Sequence, residues 1–294
     1  MPVDIEHAIN DLTIGPGYAR LEGFYSREQT EEARRLVYQL AEGEPQRTTH
    51  FLGTETVPTQ KRVWNLIEKG RVFQDIASDE RLLAILEGIV GDVRLASFAA
   101  NVLFPGAPAQ EPHVDYPYWD LHRPETFPRG LNASFFLEVE LLVMLDDFTE
   151  ENGATALMPH SQHRTEWPNV AEFDHKSIRV LGPAGTLLLF PALTWHAGQA
   201  NRGKHWRAAL LGAYTASASV SNRTNAAIAS RRVPGSSSVT CQRISSGCRS
   251  ASSQPRQATV ARRTSGEGSF SNRSNRGTNA TPHISLRARI AAAR

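Results

Sequence analysis

The chain has 294 residues, 40% of them hydrophobic and 21% charged, with a formal net charge of +2 and two cysteines. That length can bury a substantial core, and no apolar run approaches the roughly 18 residues needed to span a bilayer. Cys241 and Cys248 both lie near the C-terminal end, which excludes a disulfide framework or a cysteine metal site in the body.

The near-neutral total hides an asymmetry. Residues 217–294 carry 13 arginines and one acidic residue, so residues 1–216 stand at −10. The N-terminal stretch M-P-V-D-I-E-H has neither the basic start nor the apolar centre of a secretory signal. The expectation is a cytoplasmic, soluble chain with no membrane partner.

In chain order, residues 14–25 (I-G-P-G-Y-A-R-L-E-G-F-Y) read as a short strand leading into a helix. Ser26 followed by Gln29 has the capping-box spacing, and Ala33, Leu36, Val37 and Leu40 then recur at i, i+3, i+4, i+7. The same spacing at Leu82, Ile85, Leu86 and Ile89 predicts a second amphipathic helix, stopped at Gly91. From residue 93 the pattern changes to short β-like runs: V-R-L-A-S-F, E-L-L-V-M-L, S-I-R-V-L, T-L-L-L-F and R-A-A-L-L-G-A-Y. Turn residues separate them, which favours a sandwich or barrel over βαβ units. No G-x-G-x-x-G or Walker loop is present to bind a nucleotide.

Beyond about residue 217 the chain is rich in Ser and Arg and nearly free of aromatics, so it offers little apolar surface to offset the entropy of ordering. It reads as a disordered basic tail or as the product of a shifted reading frame. A nucleic-acid arm is a third reading, but no aromatic residues alternate with the arginines as base stacking would require, which argues against a nucleic-acid partner.

The chemistry concentrates in two segments. In E-P-H-V-D-Y-P-Y-W-D (111–120), His113 and Asp115 are two apart and on an extended backbone project to the same face. In G-T-L-L-L-F-P-A-L-T-W-H (185–196), His196 ends a predicted strand. Two imidazoles and one carboxylate leave coordination positions open on one side of Fe(II), the arrangement of non-haem oxygenases. Arg207 follows a chain reversal and can return beside His196, where a guanidinium would grip the far carboxylate of a dicarboxylate co-substrate. Tyr116 and Trp119 directly follow the metal pair and are candidate walls of a substrate pocket. The adjacent Asp146 and Asp147 would point to opposite faces of a strand, so a paired-carboxylate hydrolase is set aside. His122, His160, His163, His175 and His205 read as surface or supporting residues.

These segments resemble the phytanoyl-CoA dioxygenase family of Fe(II)/2-oxoglutarate-dependent oxygenases. The resemblance rests on G-Y-A-R-L-E-G-F-Y-S near the start, H-V-D at 113–115, E-E-N-G-A-T-A-L-M-P-H-S-Q-H at 150–163 and P-A-L-T-W-H-A-G-Q-A-N-R-G-K-H-W-R at 191–207. It covers roughly residues 14–216 and implies a mainly β, cupin-like double-stranded β-helix (jelly roll) with flanking helices. The implied organisation is an oxygenase domain over 1–216, its first part (1–92) helical and its jelly-roll core at 93–216, followed by the tail at 217–294. The implied catalytic and metal residues are His113, Asp115 and His196, with Arg207 on the C5 carboxylate of 2-oxoglutarate and Asn101 as a further co-substrate contact. The implied cofactors are Fe(II), 2-oxoglutarate and O2. A small-molecule metabolite would be hydroxylated with release of succinate and CO2; the alternative is a jelly-roll metal- or ligand-binding protein impaired in turnover. One departure stands out: where the family's turn usually reads P-G-S-H, this chain has P-H-S-Q-H.

Overall fold

The computed structural model describes residues 3–47, 58–115, 118 and 135–217. The pocket-wall candidates Tyr116 and Trp119, together with His122 and the tail from 218 onward, lie outside the described residues.

Helix α1 (Ile5–Thr13), which the sequence reading did not anticipate, opens at Asp4, whose side chain accepts from the backbone of His7. Helix α2 spans Arg27–Glu42. Its N-cap is Ser26, with Oγ accepting from the Gln29 amide at 3.2 Å. Strand β1 in the 14–25 segment is short, Ala19–Leu21. Helices α3 (Arg71–Ala77) and α4 (Glu80–Val90) follow the short strands β2 (Gln46–Arg47) and β3 (Gln60–Val63). Gly91 ends α4 at φ 75°, a backbone conformation that favours glycine.

The remaining strands are β4 (Val93–Leu103), β5 (Glu138–Met144), β6 (Thr155–Leu157), β7 (Ile178–Arg179), β8 (Leu187–Pro191), β9 (His196–Gly198) and β10 (Arg207–Ala216). Helix α5 (Val170–Lys176) lies between β6 and β7. A seven-stranded sheet has the order β1-β8-β5-β10-β4-β3-β2, and a three-stranded sheet the order β7-β6-β9. All their pairings are antiparallel. The architecture is the mainly β jelly roll expected, with β1, β2 and β3 from the first 92 residues completing the large sheet.

Side-chain alternation on β5 shows how the sheet divides the interior. Val139, Leu141 and Val143 pack with Val37, Phe73, Ile76, Leu82, Ile85 and Leu86 in the core under the helices. Leu142 and Met144 point the other way and join Phe148, Leu157, Leu188, Phe190 and Ala209 between the sheets. Each fully buried Leu or Ile contributes about 2 kcal/mol of transfer free energy, so the helix layer fixes the large sheet and leaves its inner face for chemistry.

Candidate metal centre

The small sheet is extended by the segment around His113. The His113 amide donates to the His196 carbonyl at 2.9 Å, and the His196 amide donates back to His113 at 3.0 Å. This reciprocal pairing sets the two imidazoles side by side, ring centroids 4.4 Å apart. Asp115 is held two residues on, its amide donating to the Ala192 carbonyl at 2.9 Å.

Each imidazole is oriented in the same way. Nδ1 of His113 lies 2.8 Å from the Glu111 carbonyl, and Nδ1 of His196 lies 2.9 Å from the Thr194 carbonyl. A carbonyl only accepts, so Nδ1 carries the proton in both rings and Nε2 is the ligating nitrogen. Nε2 of His196 is 3.1 Å from a carboxylate oxygen of Asp115. Donor atoms of His113, Asp115 and His196 all lie within 4.8 Å of one another, the one such group of three among the described residues. Burial pushes the Asp115 carboxyl up, but His196, His113 and Arg62 outweigh it and hold it below the ordinary carboxylate value. Burial lowers the His196 pKa, and Asp115 more than reverses this, leaving it above its ordinary value.

Arg207, the first residue of β10, is buried. Its Nη2 donates to the Gly153 carbonyl and its Nε to the Asn152 carbonyl, while the guanidinium sits 4.2 Å over the Phe148 ring. Burial lowers its pKa to about 10, so the group keeps its charge at neutral pH. These contacts give a physical reason for the N-G-A-T segment: Gly153 adopts φ 82°, and a Cβ there would stand 2.5 Å from the Leu103 side chain and 2.8 Å from the Gln199 carbonyl. Phe148 shares the inter-sheet cluster with Phe190, whose ring lies 4.8 Å from that of His196.

Asn101 sits on β4 opposite Ala209, on the inward-facing row, with its Oδ1 buried and without a hydrogen-bond partner. The other histidines do different work. His163 is bonded to the Thr13 carbonyl at 2.8 Å and stacks on Phe136. His205 is exposed, with its carbonyl accepting from Asn201. Asp146 is an anchor for the helix layer: it accepts from Tyr38, Arg34 and the Ala208 amide.

Sequence reasoning missed three charged groups. Arg62 on β3 faces Asn101, with its Nε buried and unpartnered. Glu138 and Glu140 occupy the same face of β5 as Leu142 and Met144. Burial, the largest cause, and the Asp115 charge raise Glu138 to about 7 and hold Glu140 well above the ordinary carboxylate value. The signal was the alternation E-V-E-L-L-V-M, in which glutamates keep the phase of the inward positions.

Comparisons with known proteins find similar sequences and similar folds. The family model described as Phytanoyl-CoA dioxygenase (PhyH) matches residues 15–209. Dioxygenase trt7 of Aspergillus terreus is 32% identical over 157 residues, covering 51% of this chain and 52% of that protein. Dioxygenase cdmD of Talaromyces verruculosus is 26% identical over 216 residues, covering 71% of this chain and 62% of that one. The chain thus spans about half the length of the first of these relatives. Among solved structures, the non-heme alpha-ketoglutarate-dependent epimerase SnoN from nogalamycin biosynthesis superposes with a TM-score of 0.55 at 18% identity, covering 72% of this chain and 82% of that one. A second structure of SnoN, in complex with Fe3+, alpha-ketoglutarate and nogalamycin RO, has a TM-score of 0.56 at 17% identity, covering 72% and 83%. Among the described residues, no helix is long and apolar enough to cross a membrane.

Proposed function

Since the chain belongs to the phytanoyl-CoA dioxygenase family, whose members use Fe(II), 2-oxoglutarate and O2, we propose that it is an Fe(II)/2-oxoglutarate-dependent dioxygenase that hydroxylates a small-molecule metabolite. The observation that carries this reading is the convergence of two Nδ1-anchored imidazoles and one carboxylate within 4.8 Å.

The donor set fits the metal. Two neutral imidazoles and a carboxylate suit Fe(II), and the carbonyl bond behind each ring fixes its direction before the ion arrives. His113, Asp115 and His196 are the residues that would hold iron. When bound, iron with 2-oxoglutarate supplies the oxidising power from O2, with succinate and CO2 as co-products.

This chain's own residues bind, orient and exclude water. Arg207 presents a buried, charged guanidinium suited to the far carboxylate of 2-oxoglutarate, held by Asn152 and Gly153 and backed by Phe148. Asn101 offers an unsatisfied buried oxygen on the same inner face, where a polar guest would relieve it. The Phe190 ring packs against His196 and shields that imidazole on one side. Asp115 occupies the position a halide would need, which favours hydroxylation over halogenation.

The reading is tested by adding Fe(II) and 2-oxoglutarate to the full chain under argon and then admitting O2. A visible charge-transfer band followed by succinate release is expected. A protein that gives neither is not this enzyme, and one that gives the band without succinate is the binding protein impaired in turnover.

A further inference from the structure

Arg207 is held from two directions, and one of them is the helix layer. Its guanidinium donates to the Asn152 and Gly153 carbonyls over the Phe148 ring. Its backbone is held separately, because the two peptide groups that meet at its Cα are each bonded to a side chain. The Tyr38 hydroxyl shares its one proton between the Trp206 carbonyl at 3.0 Å and a carboxylate oxygen of Asp146 at 2.6 Å. That same oxygen accepts from the Ala208 amide at 2.8 Å, which closes a ring of hydrogen bonds around the Arg207 backbone.

Sheet geometry explains why a side chain is needed here. The ladder between β5 and β10 runs to Met144 opposite Ala209, and the Leu145 amide still reaches the Ala208 carbonyl at 3.2 Å. Beyond that point the Asp146 carboxylate takes the place of a strand carbonyl and accepts from the Ala208 amide. Segment 146–153 then supplies the Phe148, Asn152 and Gly153 contacts to the guanidinium, while Asp147 accepts from the Ala184 amide at 2.8 Å. Tyr38 lies one turn after Arg34 on α2, and Arg34 pairs with the other oxygen of Asp146. Burial lowers the Arg207 pKa, and the Asp146 charge is the first influence that opposes it.

We infer that Tyr38 and Asp146 are positioning residues for the co-substrate, fixing the Arg207 backbone so that its guanidinium meets the far carboxylate of 2-oxoglutarate. The inference rests on the reading that Arg207 takes that carboxylate. A long side chain carries any rotation of its Cα to its tip, and a displacement of about 1 Å at a binding group is costly. Helix α2 thereby takes part in binding, although its buried residues pack on the opposite face of the sheet.

The experiment titrates the Fe(II)-loaded full chain anaerobically, by calorimetry, with 2-oxoglutarate and with 2-oxovalerate, which has the same keto-acid end and no second carboxylate. Tyr38→Phe removes the shared proton and keeps the ring. It should raise the 2-oxoglutarate Kd about fivefold to tenfold and move the 2-oxovalerate Kd by less than about twofold. Asp146→Asn, which keeps an acceptor for one of its donors, should weaken 2-oxoglutarate in the same selective way. In an Arg207→Lys background Tyr38→Phe should add less than about twofold, because the fork it aims is gone. Each variant is checked for native circular dichroism. An unchanged 2-oxoglutarate Kd in Tyr38→Phe would overturn the inference, as would an equal loss for both keto acids or a full effect in the Arg207→Lys background. A wild-type chain that binds no 2-oxoglutarate would defeat the co-substrate reading of Arg207 itself, and this inference with it.

Discussion

In this chain the Nε2 of His196 faces a carboxylate oxygen of Asp115 at 3.1 Å, an ion pair at the position where both groups would meet iron. The pair raises the pKa of His196 above its ordinary value, so a metal must displace a proton from that ring. Without metal, the raised His196 contributes stability that is fully present below its unfolded pKa and lost as pH rises through the folded value. With metal the dependence reverses, because apparent affinity falls by up to about tenfold per pH unit once the ring is protonated. The gap in Tm between Fe(II)-loaded and metal-free protein, measured anaerobically, is therefore expected to widen between about pH 6 and about pH 8. A constant or narrowing gap would show that His196 does not release a proton to the metal.

Arg207 supplies the second prediction. Its fork donates to the Gly153 and Asn152 carbonyls over the Phe148 ring, a geometry a lysine cannot reproduce. Arg207→Lys keeps the charge and loses the paired hydrogen bonds, so KM for 2-oxoglutarate should rise about tenfold or more. The iron concentration giving half-maximal activity should stay unchanged. If both parameters shift together, Arg207 acts on the fold rather than on the co-substrate.

The legibility of these features in the sequence follows from how local their geometry is. His113 and Asp115 could be read together because an i, i+2 pair on an extended chain needs no tertiary contact to share a face. His196 could be added because it closes a dense apolar run. Arg62 could not, since its neighbour Asn101 is 39 positions away and β3, Gln60–Val63, is too short to show a period. Glu138 and Glu140 were hidden for another reason. Alternating glutamates and apolar residues ordinarily mark a strand with one wet face, but here α2, α3 and α4 cover the apolar face and the glutamates point into the jelly roll. Helix α1 has its Asp4 cap, yet its nine residues show only Ala8 and Leu12 fully buried, too few for a periodic signal.

His160 is a further case in which the structure explains a departure in the sequence. It adopts φ 62°, one of two non-glycine residues with positive φ among those described. The family's usual residue at this point of the turn is glycine, which takes that conformation without strain. The turn is tied to the residue just before His196: Ser161 Oγ donates to the Met158 carbonyl at 2.7 Å and accepts from the Trp195 amide at 2.9 Å. His160→Gly should therefore stabilise the protein by about 0.5–1 kcal/mol, and His160→Val should destabilise it by about 1–2 kcal/mol. Urea denaturation of both variants checks this, and a more stable valine variant would mean the turn stores no strain.

The last prediction concerns Glu138, whose carboxyl is raised from its ordinary 4.5 to about 7, first by burial and then by the negative charge of Asp115. A raised folded pKa means that the folded state holds the proton more tightly than the unfolded chain. The stabilising contribution is therefore complete below about pH 4.5 and is lost as pH rises toward about 7. Over that window the wild-type chain should lose at most about 3 kcal/mol on this group's account, fewer if water reaches the carboxylate. Glu138→Gln removes the titration and keeps the side-chain volume. The variant should match wild type at about pH 5 and exceed it by about 1–3 kcal/mol at about pH 8 in metal-free denaturation experiments. An equal difference at the two pH values would mean that Glu138 is ionised throughout, with a partner cation already in place.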